Sequence, residues 1–260
     1  MSFKKFLQFS FIKFNRYILG KKFLPIFTGP LKGLLWSTAY NYDYLVNDYE
    51  DPAVVKVFLS WLQHDSVFYD LGAHVGYYTF LAQKLITTGF IYSFEPIPQN
   101  MAMFNNHIEM NKTHINTGCI HLYPFAISDD ERDIVISNDK NAIEGNTYIM
   151  SAERFRKASG TLSVKSYSID KLIQKGYKMP GIIKIDVEGA EYDVLKGAIE
   201  TLKSAKPNIL LATHDCHLPG VKDKCMELLH SLGYKLQHTG YFNKHLAGHD
   251  DFIAIHNEKT

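Results

Sequence analysis

Cysteine is scarce in this chain. Three occur in 260 residues, Cys119, Cys216 and Cys225, and no two share a C-x-x-C spacing. An odd, scattered set excludes a disulfide framework and a structural zinc site, and makes a reducing compartment the expectation. Long apolar runs are missing as well: no stretch of 18 apolar residues occurs, so no bilayer-spanning segment is expected. Neither charge is in surplus, since 28 basic and 27 acidic residues leave a formal net charge of +1. A nucleic-acid partner, whose phosphates demand a basic excess, is therefore not expected. What the chain does have is apolar content. At 46% hydrophobic and 21% charged, it can bury the core of one ordinary domain.

One further absence is local. Residues 1–42 contain no Asp or Glu, yet carry Lys4, Lys5, Lys13, Arg16, Lys21, Lys22 and Lys32. Phe3, Leu7, Phe11, Phe14 and Ile18 recur at steps of three and four, which places them on one helical face. Charges interrupt the segment too often for a secretory signal. A basic amphipathic helix of this kind can lie on an anionic membrane surface. The alternative is that its aromatic face packs on the domain's own core. We read residues 1–50 as a basic, aromatic helical extension and 51–260 as the main domain, with a linker near Asn47–Pro52. Peripheral membrane contact through residues 1–27, at the inner face of the membrane of an otherwise cytoplasmic protein, is the expectation.

From Ser66 onward, strand and helix signals alternate. Strands are predicted at 67–73, 90–96, 120–128, 181–189 and 208–214, with a final strand pair in YKLQHT and DFIAIH. Helices are predicted between them, including one over AEYDVLKGAIETLKSA. The polar stretch 129–163, with the short pieces DIVIS and NTYIM, reads as an added β insertion. Such alternation makes a mostly parallel sheet with helices on both faces, and ligands bind beyond the carboxyl ends of its strands.

The first of these strands ends Asp70-Leu71-Gly72-Ala73-His74-Val75-Gly76. A dinucleotide site would need G-x-G-x-x-G, which is absent, and Asp70 would repel a diphosphate. An acid before a looser glycine pair suits a cationic nucleoside such as S-adenosyl-L-methionine. Glu95, 25 positions later at the next strand end, can accept hydrogen bonds from both ribose hydroxyls.

At KIDVEGAEYDVLKGA (184–198) the sequence resembles the FkbM-type methyltransferases. VFYDLGAHVGYYTF, IYSFEPIPQN and PFAISD match in order and spacing, and so does GPLKGLLWSTAYNYDYLVNDYE ahead of them. The resemblance covers roughly residues 28–256. It implies a class I methyltransferase (Rossmann-like) α/β fold with a seven-stranded sheet and S-adenosyl-L-methionine as the cofactor. The acceptor it implies is a hydroxyl on a glycan, glycolipid, lipid-linked sugar or small natural product. It also implies site roles. Asp70, Gly72 and Gly76 would line the methionine half of the cofactor, with Ala73 and His74 in the turn over it, and Glu95 would hold the ribose. Pro96 and Ile97 would flank the adenine, with Ala126 and Ile127 on its other face. Asp186, Glu188 and His214 would be catalytic, with Asp186 also reaching the cofactor. One departure stands out: where an acid-x-His strand end is expected, the chain has Ala212-Thr213-His214.

His214-Asp215-x-His217 offers three ligands within four residues, and Asp186 and Glu188 can face them, which would suit magnesium or manganese. These are also ordinary loop residues, and no resident metal is expected. A membrane-associated nucleoside-binding module without turnover is the alternative function.

Overall fold

A computed structural model describes residues 3–40, 42–47, 49–137, 160–242 and 248–259. Helix α1 (Phe3–Tyr17) leads into a short hairpin of β1 (Phe23–Pro25) and β2 (Leu35–Ser37), then helices α2 (Asp43–Val46) and α3 (Pro52–Trp61). Helix α3 starts where its sequence says it should: Asp51 accepts a hydrogen bond from Ala53 N, and Pro52 sits in the first turn. The alternating part follows as β3 (Val67–Leu71), α4 (Tyr77–Ala82), β4 (Phe90–Phe94), α5 (Pro98–Asn111) and β5 (Ile120–Tyr123). Next come β6 (Ala126–Ile127), β7 (Arg132–Ser137), β8 (Thr161–Tyr167) and α6 (Ile169–Gln174). The chain ends through β9 (Ile182–Ile185), α7 (Glu191–Lys196), α8 (Ile199–Ala205), β10 (Asn208–His214), α9 (Val221–Ser231), β11 (Tyr234–Phe242) and β12 (His249–His256).

Seven strands form the main sheet among the described residues, in the order β11-β12-β10-β9-β3-β4-β5. Strands β10, β9, β3, β4 and β5 run parallel, and β12 pairs antiparallel with both β10 and β11. This is the class I methyltransferase architecture that the sequence leads one to expect. After β3 the chain builds outward through β4 and β5, then crosses back to lay β9 on the other side of β3. The crevice of such a sheet opens where the order reverses. That point lies between β3 and β9, where Asp70 pairs with Lys184 and Leu71 with Ile185.

Strand alternation divides the core into two layers. Phe68, Ile182 and Leu210 belong to one cluster, and their neighbours Tyr69, Ile183, Ile209 and Leu211 to the other. Successive side chains of a strand point to opposite faces, so each strand feeds both layers. The first layer also takes in Ile12, Leu24, Ile26, Leu31, Trp36 and Leu45. Residues 1–50 therefore supply part of one hydrophobic layer, and they contain a hairpin as well as helices.

Helix α1 docks by a face other than the aromatic one. Ile12 and Asn15 are buried, and Arg16 donates to Thr38 O at 2.6 Å. Leu7, Phe11, Phe14 and Ile18 lie 51%, 52%, 52% and 70% exposed, so the aromatic row faces outward instead of covering the core. No helix among the described residues is long and apolar enough to cross a membrane.

Three sequence expectations need correction. The predicted strand 120–128 is two strands: β5 ends at Tyr123, and beyond Pro124, β6 joins a separate three-stranded sheet in the order β6-β8-β7. Proline lacks the N–H that would continue the ladder. The predicted helix after β9 is likewise two, α7 and α8. At the break, a β-carbon on Gly197 would overlap the Ser128 carbonyl oxygen, so the close approach to β6 fixes this position as glycine. The supposed linker is packed: Tyr49 stacks on Tyr44, and Glu50 accepts from Tyr78 Oη at 2.7 Å. The insertion supplies the antiparallel pair β7–β8, whereas NTYIM lies outside the described residues.

Candidate active site at the carboxyl edge of the sheet

The floor of the crevice is built around a buried lysine. Lys184, on β9, is 7% exposed. Its Nζ donates to Gly72 O at 2.8 Å and lies 3.2 Å from Asp186 Oδ2 and 3.8 Å from Asp70 Oδ1. Burial works against its charge, but Asp186 and Asp70 outweigh this and hold it above the ordinary lysine range. Burial pushes the Asp70 carboxyl up against the pull of Lys184. Asp70 is fully buried, and its other oxygen accepts from Thr79 Oγ1 at 2.7 Å. It thus lies beneath the loop and braces it. Gly72, at φ +72°, passes so close to β9 that a β-carbon would overlap the Asp186 carbonyl oxygen; only glycine fits there.

The loop above this floor is tied to the end of β4. Gly72 N and Ala73 N both donate to Phe94 O at 3.0 Å, and Gly76 opens helix α4. Glu95, 4% exposed, accepts from His74 N (2.8 Å), Ile97 N (3.0 Å) and Asn100 Nδ2 (3.2 Å). Burial nevertheless raises its carboxyl to about 7 against those donors. Pro96 is half-buried beside it. Ile97 shares a small apolar cluster with Ala126, Ile134, Ile136 and Val164. Ala126 is thus brought to Ile97 from the smaller sheet, while Ile127 packs in the second core layer. His74, at φ +51°, sits between Tyr40 and Tyr44, with its Nδ1 3.1 Å from Tyr44 Oη. Burial and then Lys184 lower its pKa to about 4, which leaves it neutral.

Across the crevice, Asp186 and Glu188 follow β9, and His214 ends β10. Glu188 adopts φ +56°, a strained conformation for a side-chain-bearing residue, ahead of Gly189. His214 is 1% exposed, and its Nε2 lies 3.6 Å from Asp186 Oδ1 and 3.5 Å from Glu188 Oε2. Its Nδ1 is 2.7 Å from Oε1 of the fully buried Glu191, which also accepts from Gly189 N at 2.8 Å. Burial opposes a charge on His214, but Glu191 and then Glu188 and Asp186 push its pKa up to about 10. Desolvation opposes ionisation of Asp186 too, yet Lys184, His214 and His249 hold it below the usual carboxylate range. His217 Nε2 stands 2.8 Å from Glu188 Oε2.

The missing acid at 212 has a neighbour in its place. Ala212 pairs across the ladder with Asp251, and His214 with His249. Directly opposite residues share a face, so Asp251 and His249 line the same edge, 3.2 Å apart. A cleft there is bounded by Glu50, Tyr78, Lys184, Asp186, Ala212 and Asp251. Sequence reading missed Lys184, Glu191, Glu50 and Asp251, and also Tyr40 and Tyr44. Only Lys184 and Glu191 carried a signal, as charged members of KIDVEGAE.

The sequence matches the family described as "Methyltransferase FkbM domain" over residues 70–236. A curated relative, the hexuronic acid methyltransferase AglP of Haloferax volcanii, is 26% identical over 152 residues, 58% of this chain. The match spans 57% of that relative's length. Among solved structures, an FkbM methyltransferase from Methylobacillus flagellatus overlays with a TM-score of 0.52 at 15% identity, over 75% of this chain and 44% of that one. A putative rRNA-methylase from Clostridium thermocellum overlays at 0.51 and 9%, over 78% and 93%. These two overlays speak to fold alone.

Proposed function

This chain belongs to the FkbM methyltransferase family, and on that premise we propose that it moves the methyl group of S-adenosyl-L-methionine to a sugar hydroxyl in a glycan or small metabolite. The observation that carries the reading is the convergence of the Gly72–Gly76 loop, Glu95 and the Asp186–Glu188 turn on one crevice. The named activity of the archaeal relative, a hexuronic acid methyltransferase, favours a uronic acid unit as the acceptor. In-line displacement at a sulfonium needs no protonation of the leaving group. The protein's tasks are alignment, exclusion of water and removal of the hydroxyl proton. Asp186 and Glu188 orient the hydroxyl. His214, buried and tied to Glu191, positions those two carboxylates. A screen of sugar and uronic acid acceptors with labelled donor tests this. Donor binding with no transfer to any acceptor would favour the nucleoside-binding module.

Glu95 gives a pH signature. Its ionised form is the better acceptor for the two ribose hydroxyls, and burial raises its carboxyl to about 7. Donor affinity is therefore expected to rise between about pH 6 and pH 8 as the carboxylate forms. Glu95→Gln should flatten that rise and weaken binding by one to two decades, since a hydrogen bond to a charged group contributes about 1.5–3 kcal/mol. Calorimetry with S-adenosyl-L-methionine at several pH values reads both effects. An unchanged affinity in Glu95→Gln removes Glu95 from the ribose.

The outward row of helix α1 supports a second element of the reading, contact with an anionic membrane surface. Leu7, Phe11, Phe14, Tyr17, Ile18 and Leu19 are more than half exposed, and the acid-free stretch around them carries six of its seven basic residues before Pro25. Basic residues near an anionic leaflet contribute about 1 kcal/mol each. Deleting residues 1–27 would also remove buried Ile12, Leu24 and Ile26, so point substitutions make the cleaner test. Phe11→Ser with Phe14→Ser should abolish sedimentation with phosphatidylserine vesicles and leave the melting temperature near the parent's. Equal binding of parent and variant, or of neutral and anionic vesicles, overturns the idea.

A further inference from the structure

We propose that Asp186, Glu188 and His214 form a divalent-cation site, which manganese fills. The proposal departs from the metal-free expectation that the sequence supports. Ligand atoms of the three residues lie within 4.8 Å of one another. Acidic clusters are common on protein surfaces without any ion, so the histidine decides the matter.

His214 is 1% exposed, and its Nε2 has no hydrogen-bond partner among the described residues. Glu191 accepts from the opposite ring nitrogen at 2.7 Å, which turns the Nε2 edge toward Asp186 and Glu188. A carboxylate behind a histidine is the arrangement that fixes tautomer and ring orientation in metal sites. The separations fit the same conclusion. Nε2 lies 3.6 Å from Asp186 Oδ1 and 3.5 Å from Glu188 Oε2. Neither oxygen reaches the about 2.7–2.9 Å of a charge-assisted hydrogen bond to Nε2, and a bound cation would displace the proton that the surrounding carboxylates favour there. Two ligands on one cation, each bonded at about 2.1 Å, stand roughly 3.0–4.2 Å apart, so both Nε2 separations fit, and where the set spreads to 4.8 Å the carboxylates must close on the ion. Lys184 neutralises the far oxygen of Asp186 at 3.2 Å and leaves Oδ1 to the cation.

The donor set selects the ion. Two carboxylates favour hard cations, and one imidazole favours a transition metal over magnesium. Manganese satisfies both. Its role rests on the methyl-transfer reading: bound beside the acceptor, a divalent ion lowers the pKa of the hydroxyl that attacks the donor methyl. The binding itself does not depend on that reading.

Manganese(II) titrated into the full chain without donor or acceptor, followed by loss of the free-ion electron paramagnetic resonance signal, should show one site per chain. Glu188→Gln, which removes a half-exposed ligand, should weaken binding at least tenfold. Glu191→Gln, which touches only the back of the histidine, should weaken it by about 10–100-fold. Melting curves report whether each variant is folded; if Glu188→Gln is not, Asp186→Asn replaces it. Absence of a stoichiometric site, or equal binding by parent and folded ligand variants, overturns the proposal. Donor binding measured in the same samples stands apart from it, so loss of one reading is not mistaken for loss of the other.

Discussion

Replacing Lys184 by methionine should lower folding stability by about 3–5 kcal/mol, the cost of stripping a buried ion pair of one partner. The methionine stem fills most of the lysine's volume, so packing changes little. What is lost is the charge that faces Asp70 and Asp186 and the hydrogen bond to Gly72 O. Spread over a chain of this length, the loss corresponds to a fall of roughly 6–20 °C in melting temperature. Adding Asp70→Asn to Lys184→Met should recover part of it, because one of the two stranded carboxylates is then gone. A single variant within about 1 kcal/mol of the parent would show that Lys184 does not anchor the crevice.

Asp186→Asn is the second large effect. We expect the rate of methyl transfer to fall by about 10²-fold, the cost of an acceptor hydroxyl held out of line, while donor affinity changes only a few-fold. The split is informative because Asp186 faces both halves of the crevice. Its Oδ2 meets Lys184 beneath the loop, and its Oδ1 faces His214. Single-turnover rates and donor titrations on one preparation separate the two. A loss confined to donor affinity would move Asp186 out of the acceptor site.

Much of the architecture is legible in the chain because central parallel strands are apolar on both faces. VFYDL, FIYSF and NILLATH read as strands on that ground, and they are strands. The site is legible only where it follows the strand ends. Asp70, Glu95, Asp186 and His214 are candidates by position alone. Lys184 escapes because a lysine within an apolar strand carries no mark of the two carboxylates that accommodate it. Glu191 and His214 are 23 positions apart and meet only through packing of α7 on β10. Asp251 becomes visible only when strand register sets it opposite Ala212. The helix α1 row is plain in the sequence, but which side of the helix the core takes is decided by Ile12 and Asn15.

The antiparallel strand β12 has a consequence for how the protein comes to be made. It follows the other described strands in sequence, yet it sits inside the sheet between β10 and β11. Until it inserts, β10 exposes an open edge with the apolar run Ile209–Leu211, the kind of edge on which nascent chains aggregate. Among the described residues strand β11 has no other partner in the sheet, so the two dock as a hairpin. That step also delivers Asp251 and His249 to the edge beside His214. During synthesis the strand ends that carry Asp70, Glu95 and Asp186 emerge first, and Asp251 and His249 join that edge last.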